Sequence, residues 1–250
     1  MSGHSHWAGI KHKKGKVDKR RGVLFSRLAK HVMSAARRGG KDPDTNLELQ
    51  YAIEAARAAN MPKENIERTI LKGAGELEGE RLEMVRYEGY GSGGAAVLVD
   101  ALTDNRNRTT ANARKVFDSH SGKLGASGCV SWMFQTKGLV ILDLKGRPEE
   151  EVFDTAVEAG AEDFLKSGDF YELACPVGAF KRLLDALKLK GIGWESAEIT
   201  QVPLSYVDLS VEDGRKVLNL LEALEADEDV SNVYSNFNLP EELVTELDKE

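Results

Sequence analysis

From about Asp18 to residue 78 apolar residues keep the period of a helix, and beyond Gly79 the period changes as strands enter. From about Asp18 to Arg38, the residues Phe25, Leu28, Ala29, Val32, Met33 and Ala36 fall on one helix face, and Gly39-Gly40 supplies a stop. A second helix is expected from about Thr45 to Asn60, with Leu49, Ala52, Ile53, Ala56 and Ala59 inward. A third, short one runs through Ile66 and Ile70 to Gly73. A chain that changes period in this way is neither one bundle nor one sheet. Residues 1–78 read as a small helical domain.

Glu83 to Tyr90 and Ala95 to Leu102 read as a hairpin around the glycine cluster Gly91-Ser92-Gly93-Gly94, followed by a helix from about Arg106 to His120. After Trp132 come strand Gly138 to Leu144, helix Glu149 to Ala159, strand Phe170 to Cys175, helix Val177 to Lys190 and strand Trp194 to Val202. A short extra strand at Glu162 to Leu165 completes that run. Beyond Pro203 there is a strand from Leu204 to Leu209, a helix opened by the capping-box pattern Ser210-Val211-Glu212-Asp213, and a last strand from Val230 to Phe237. The middle run is self-sufficient, whereas the pieces on either side of it each have too little sheet to bury a face. Joined, they make one four-stranded layer under two helices. The expected class is α+β: a helical domain (1–78), a discontinuous α/β domain (79–132 plus 204–240), and a third α/β domain (133–203) inserted into the second. Both α/β domains are expected to be ferredoxin-like sandwiches.

Charge divides the same chain in another way. Of 34 Lys and Arg residues, 12 lie between Met1 and Lys41 against the single acid Asp18, so that segment carries +11 and the remainder −18, within a net charge of −7. A basic arm on an acidic body is the arrangement of a protein that docks one end on a polyanion. No stretch approaches the roughly 18 apolar residues of a membrane span, and the N-terminus lacks the apolar core of a secretory signal, which points to a cytoplasmic protein with no membrane partner. Cys129 and Cys175 form neither a disulfide framework nor a C-x-x-C site.

Two cationic constellations carry chemistry. In the arm, His4, His6, Trp7 and His12 offer flat rings, and Lys11, Lys13, Lys14 and Lys16 offer point charges between flexible glycines. Lysines neutralise phosphates and release counterions, while the rings suit unpaired bases. The charges continue through Lys19, Arg20 and Arg21 into the cationic face of the first helix, at Arg27 and Lys30. Lacking apolar periodicity, the arm is expected to be floppy until bound. The histidines could instead hold a metal, but neither carboxylates nor cysteines stand beside them, and no metal or cofactor is expected. The second constellation is Thr103-Asp104-Asn105-Arg106-Asn107-Arg108-Thr109-Thr110, where a strand turns into a helix. Arg106 and Arg108 add to the positive end of the helix dipole, which suits a phosphate. The competing reading pairs them with carboxylates of the body.

Gly89-Tyr90-Gly91-Ser92-Gly93-Gly94 satisfies G-x-G-x-x-G, but a strand rather than a helix comes after it, so it reads as a hairpin turn. The acids Glu222, Glu225, Asp227, Glu228 and Asp229 read as a solvated face. Nothing assembles into a nucleophile with its base, and an enzyme is not expected.

Gly3-His4-Ser5-His6-Trp7, Ile10-Lys11-His12-Lys13-Lys14, Lys72-Gly73-Ala74-Gly75-Glu76, Tyr87-Glu88-Gly89-Tyr90, Thr103-Asp104-Asn105-Arg106-Asn107-Arg108-Thr109, Gly128-Cys129-Val130 and Asn236-Phe237-Asn238-Leu239-Pro240 strongly resemble the YebC family, over nearly the whole chain. The resemblance implies three domains with the third inserted into the second. It also implies one of two functions. Bacterial members are named as probable DNA-binding transcriptional regulators. Mitochondrial relatives are translational activators for a cytochrome oxidase subunit, and bacterial ones are linked to helping ribosomes through proline-rich stretches. The residues lean toward ribosomal RNA. A flexible arm of rings and lysines suits splayed bases, and no helix-turn-helix with a groove-reading face is present. DNA is the alternative, and the oligomeric state is not encoded in any motif.

Overall fold

A computed structural model describes residues 5–6, 21–76, 82–143, 148–167 and 170–247, with side chains from Phe25 onward except Arg27. The chain falls into two compact units, one of 16–132 with 212–235, the other of 1–15, 133–211 and 236–250. The elements in chain order are β1 (Ser5–His6), α1 (Arg21–Gly39), α2 (Leu47–Ala58), α3 (Lys63–Ala74), β2 (Glu83–Tyr90), β3 (Ala96–Thr103), α4 (Arg106–Ser119), β4 (Lys123–Leu124), β5 (Phe134–Leu142), α5 (Glu149–Glu158), β6 (Asp163–Ser167), β7 (Phe170–Cys175), α6 (Val177–Leu189), β8 (Ser196–Pro203), β9 (Val207–Asp208), α7 (Val211–Glu225), β10 (Val230–Ser235), β11 (Phe237–Leu239) and α8 (Glu241–Leu247).

In the first unit α1, α2 and α3 bury one cluster: Val32, Ala35 and Ala36 from α1 against Leu49, Ile53 and Ala56 from α2, with Met61 and Ile66. Asn46 ties the turn between α1 and α2. Its side-chain oxygen caps α2 by accepting from the Leu49 N–H, and its amide donates to the carbonyls of Ala35 and Gly40. Gly73 does not terminate α3 as expected. The helix runs on to Ala74 and stops at Gly75, which is left-handed at φ 77°. Gly73 serves a different need, because a Cβ there would collide with the Met33 carbonyl of α1, so its bare Cα is what lets the two helices touch.

The sheet of this unit has the order β10-β3-β2-β4 and is antiparallel throughout. Gly93 and Gly94 have positive φ in the turn between β2 and β3, as a hairpin requires. Every residue of β3 is buried because both faces of the sheet are covered. Tyr87, Gly89 and Thr103 face α4, where the tyrosine hydroxyl meets Thr110. The opposite face, carrying Arg86, Asp100 and Ser231, lies under α1, whose Ser34 bonds Ser231.

In the second unit, β5 to β8 form an antiparallel sheet of order β6-β7-β5-β8, with α5 and α6 as crossovers. This is the ferredoxin-like order: each helix joins two strands that have a third lying between them. The sheet of the first unit is the same kind of layer with its hairpin strands in the middle. Cys175 is fully buried on β7, which pushes its thiol up to about 11.

The end of the chain departs from the sequence expectation. Val230 to Phe237 is not one strand. It breaks at the buried Asn236, whose carbonyl accepts the Val207 N–H and whose side chain reaches the Ser205 carbonyl. The stretch past Pro203 likewise joins a separate three-stranded sheet, β1-β11-β9, in which Ser5 pairs with Leu239 and His6 with Asn238. Ser5 and His6, read as part of a floppy arm, are an edge strand.

Candidate nucleic-acid interface

Of the arm candidates, His4, Trp7, Lys11, His12, Lys13, Lys14, Lys16, Lys19 and Arg20 lie outside the described residues. His6 sits in β1, and Arg21 and Arg27 lie on α1. Lys30 is built into the fold, with its ammonium donating to the Asp227 carbonyl at 3.1 Å.

The start of α4 separates the two arginines that its sequence groups together. Asn105 is the cap and accepts the Arg108 N–H at 3.1 Å, while the Thr103 hydroxyl accepts the Asn105 N–H. The Arg108 guanidinium turns back onto Asp104 at 2.7 Å and onto both oxygens of Asp229 at 2.9 and 2.8 Å. Asp229 also accepts from Thr109, which is 1% exposed, at 2.6 Å. Burial works against a charged Asp229, but the bonds from Thr109 and Arg108 outweigh it and hold the carboxyl below the ordinary aspartate range. Arg106 differs. Its side chain is exposed and makes no hydrogen bond or ion pair among the described residues.

Glu222 and Glu228 are exposed, as a solvated face would have them, but Asp227 and Asp229 in the turn are not part of such a face. The turn joins α1, through Lys30, to α4, through Arg108 and through Asn112 on the Asp227 carboxylate. A single carboxylate among five in close succession carries no local mark of that role. The one usable signal was the excess of arginine at a helix start, where the dipole disfavours it.

On the far face of the sheet Asp100, 2% exposed, takes a two-pronged contact from Arg86 at 2.7 and 3.0 Å and a third from Arg38 at 3.4 Å. Arg38 also binds Glu48 through Nε at 3.1 Å. These cations too are engaged within the fold. Among the described residues no helix is long and apolar enough to cross a membrane.

The sequence pattern of the TACO1/YebC protein N-terminal domain matches residues 5–76, and that of the TACO1/YebC second and third domain matches residues 82–237. The chain belongs to the TACO1/YebC family. Relatives in Treponema pallidum, 50% identical over 246 residues, and in Dictyoglomus turgidum, 47% identical over 248, each align over their full length with 98% and 99% of this chain. Both carry the name probable transcriptional regulatory protein. The crystal structure of a conserved hypothetical protein from Aquifex aeolicus, 49% identical, superposes with a TM-score of 0.82 over 94% of this chain and 98% of that one. YebC membership agrees with the α+β order of a helical part followed by sheet layers.

Proposed function

We propose that this YebC-family protein is a non-enzymatic, cytoplasmic regulator of gene expression that binds nucleic acid through its basic arm, and that the nucleic acid is ribosomal RNA. In this reading it acts on the ribosome as a translation factor for difficult, proline-rich sequences. The observation that carries the proposal is the sorting of charge, with +11 in residues 1–41 against −18 in the rest. Lys30 and Arg38 of that segment, and Arg108 outside it, are engaged within the fold, so the reading rests on the remaining cations. The phosphate-binding task then falls on Lys11, Lys13, Lys14, Lys16, Lys19, Arg20, Arg21 and Arg27, with Arg106 as an outlying contact and His4, His6, Trp7 and His12 as stacking partners. An acidic body is repelled by the uniform field of a long duplex but tolerates a confined RNA pocket.

The relatives' name favours a second reading, a DNA-binding transcriptional regulator. Sedimentation separates the two. A translation factor travels with ribosomes at low salt, survives DNase, and moves to the top of the gradient after RNase or after Lys11→Glu, Lys13→Glu, Lys14→Glu and Lys16→Glu together. Sequence-specific duplex protection at least about 10³ tighter than nonspecific binding, without ribosome co-sedimentation, would overturn the RNA reading.

A further inference from the structure

Two motifs that the arm leaves without a role, Tyr87-Glu88-Gly89-Tyr90 and Gly128-Cys129-Val130, meet in the fold. Glu88, 4% exposed on β2, accepts the backbone N–H groups of Gly128 at 2.7 Å, Val130 at 2.8 Å and Ser131 at 2.7 Å. Its own carbonyl accepts the Gly125 N–H at 2.7 Å. The loop is closed so tightly that a Cβ on Gly125 would stand 2.5 Å from the Cys129 sulfur. The Cys129 carbonyl in turn accepts two aromatic donors, the Tyr90 hydroxyl at 3.0 Å and the Trp132 indole N–H at 3.1 Å.

What this clamp presents is Trp132, 68% exposed. Large aromatic side chains are usually well buried, and an indole this open forgoes the stabilisation of burial. Its sole hydrogen-bond donor is already used on Cys129, so the ring offers a π-face and nothing else. A buried carboxylate with three N–H donors fixes the loop that carries it, which removes much of the ordering cost a mobile ring would meet on binding. The one carboxylate beneath the loop, Glu88, is spent on its three N–H donors, and the sequence around the ring adds no other acid. From Ser119 to Leu142 there is no acid in 24 positions, the longest such run in the chain, and Lys123 lies exposed within it. In a body of net −18 that is the local exception.

We propose that Trp132 is a stacking platform for an unpaired base of single-stranded nucleic acid, a second contact separate from the arm. This rests on the nucleic-acid reading above and adds a base-directed contact to a charge-directed one. Because every base has a π-face, the platform is tolerant of sequence and indifferent to the sugar-phosphate chain.

The test uses the full chain and two oligomers of equal length and charge, a single-stranded polyuridine and an abasic phosphodiester, at one salt concentration. Trp132→Ala should weaken polyuridine binding by about five- to 150-fold. The same substitution should leave abasic binding unchanged, and Trp132→Phe should restore most of the loss. Circular dichroism and an unchanged unfolding midpoint show that the variant is folded. Equal affinities of wild type and Trp132→Ala for polyuridine would overturn the platform while leaving the arm in place, and so would equal losses on both oligomers. A wild-type protein that binds neither oligomer would remove the nucleic-acid reading and the platform together.

Discussion

Replacing Glu88 by Gln keeps size and shape and removes the charge, so it isolates what three backbone donors are worth. One carboxylate oxygen accepts from Gly128 and the other from both Val130 and Ser131. A glutamine placed with its oxygen toward Val130 and Ser131 keeps those two bonds in neutral form. It then turns its own amide N–H toward the Gly128 N–H, leaving two donors face to face. Bonds to charged groups contribute about 1.5–3 kcal/mol each and neutral ones about 1, so exchanging three of the first for two of the second should cost roughly 3–7 kcal/mol. For a protein of this size each kcal/mol moves the melting point by about 2–4 °C, so the transition that includes β2 should fall by roughly 6–28 °C near neutral pH. Burial alone would raise the Glu88 pKa, but the three N–H groups overcome it and hold the carboxyl below the ordinary glutamate range. A depressed folded-state pKa stabilises the fold above the unfolded value, about 4.3, and that contribution is lost as pH falls through the folded value. The gap between wild type and Glu88→Gln should therefore be widest near pH 7 and close on acidification below about pH 4. Urea or thermal unfolding followed by circular dichroism at several pH values reads it directly. A gap that does not change with pH, or no gap at neutral pH, would refute the account.

Asp229→Asn should destabilise the first unit by about 1–3 kcal/mol in urea unfolding, since it strips Arg108 and the buried Thr109 of their charged acceptor. Arg106→Ala should change stability by less than about 0.5 kcal/mol and register instead in nucleic-acid affinity, so the two neighbouring arginines should give opposite phenotypes. Gly73→Ala should cost at least about 1–3 kcal/mol and raise amide exchange in α1 and α3, because its Cβ meets backbone rather than a side chain able to move aside. If six or more phosphates are neutralised, affinity should drop by roughly 10³ or more between about 50 and 200 mM salt, and a flat salt response would exclude the arm as the principal contact.

The alternation of apolar residues was enough to place the helices of the first unit, the hairpin and the full ferredoxin-like run, because each of those signals is local. Where the reading failed, the deciding contact came from far along the chain. Asn236 breaks a continuous-looking strand only because Ser205 and Val207 lie beside it. Ser5 and His6 have no periodicity to declare, and a two-residue strand is specified by its partner rather than by itself. Asp229 looks like its acidic neighbours until Arg108, 121 positions away, is set against it. Glu88 did stand in a recognised motif, but the loop it holds is 40 residues further on, so its task could not be inferred from spacing.

The pairing of β1 with β11 also constrains the order in which the molecule can be completed. Leu239 lies more than two hundred residues beyond Ser5, so β1 has no partner until β11 has appeared. β5 to β8 are contiguous and can close among themselves early, whereas β3 must wait for β10 across the whole inserted run. Closures of this kind are slow because the loop entropy is lost before the contacts form. While the chain is being made, β1, set within the most positively charged stretch of the sequence, thus waits unpaired until β11 is synthesised.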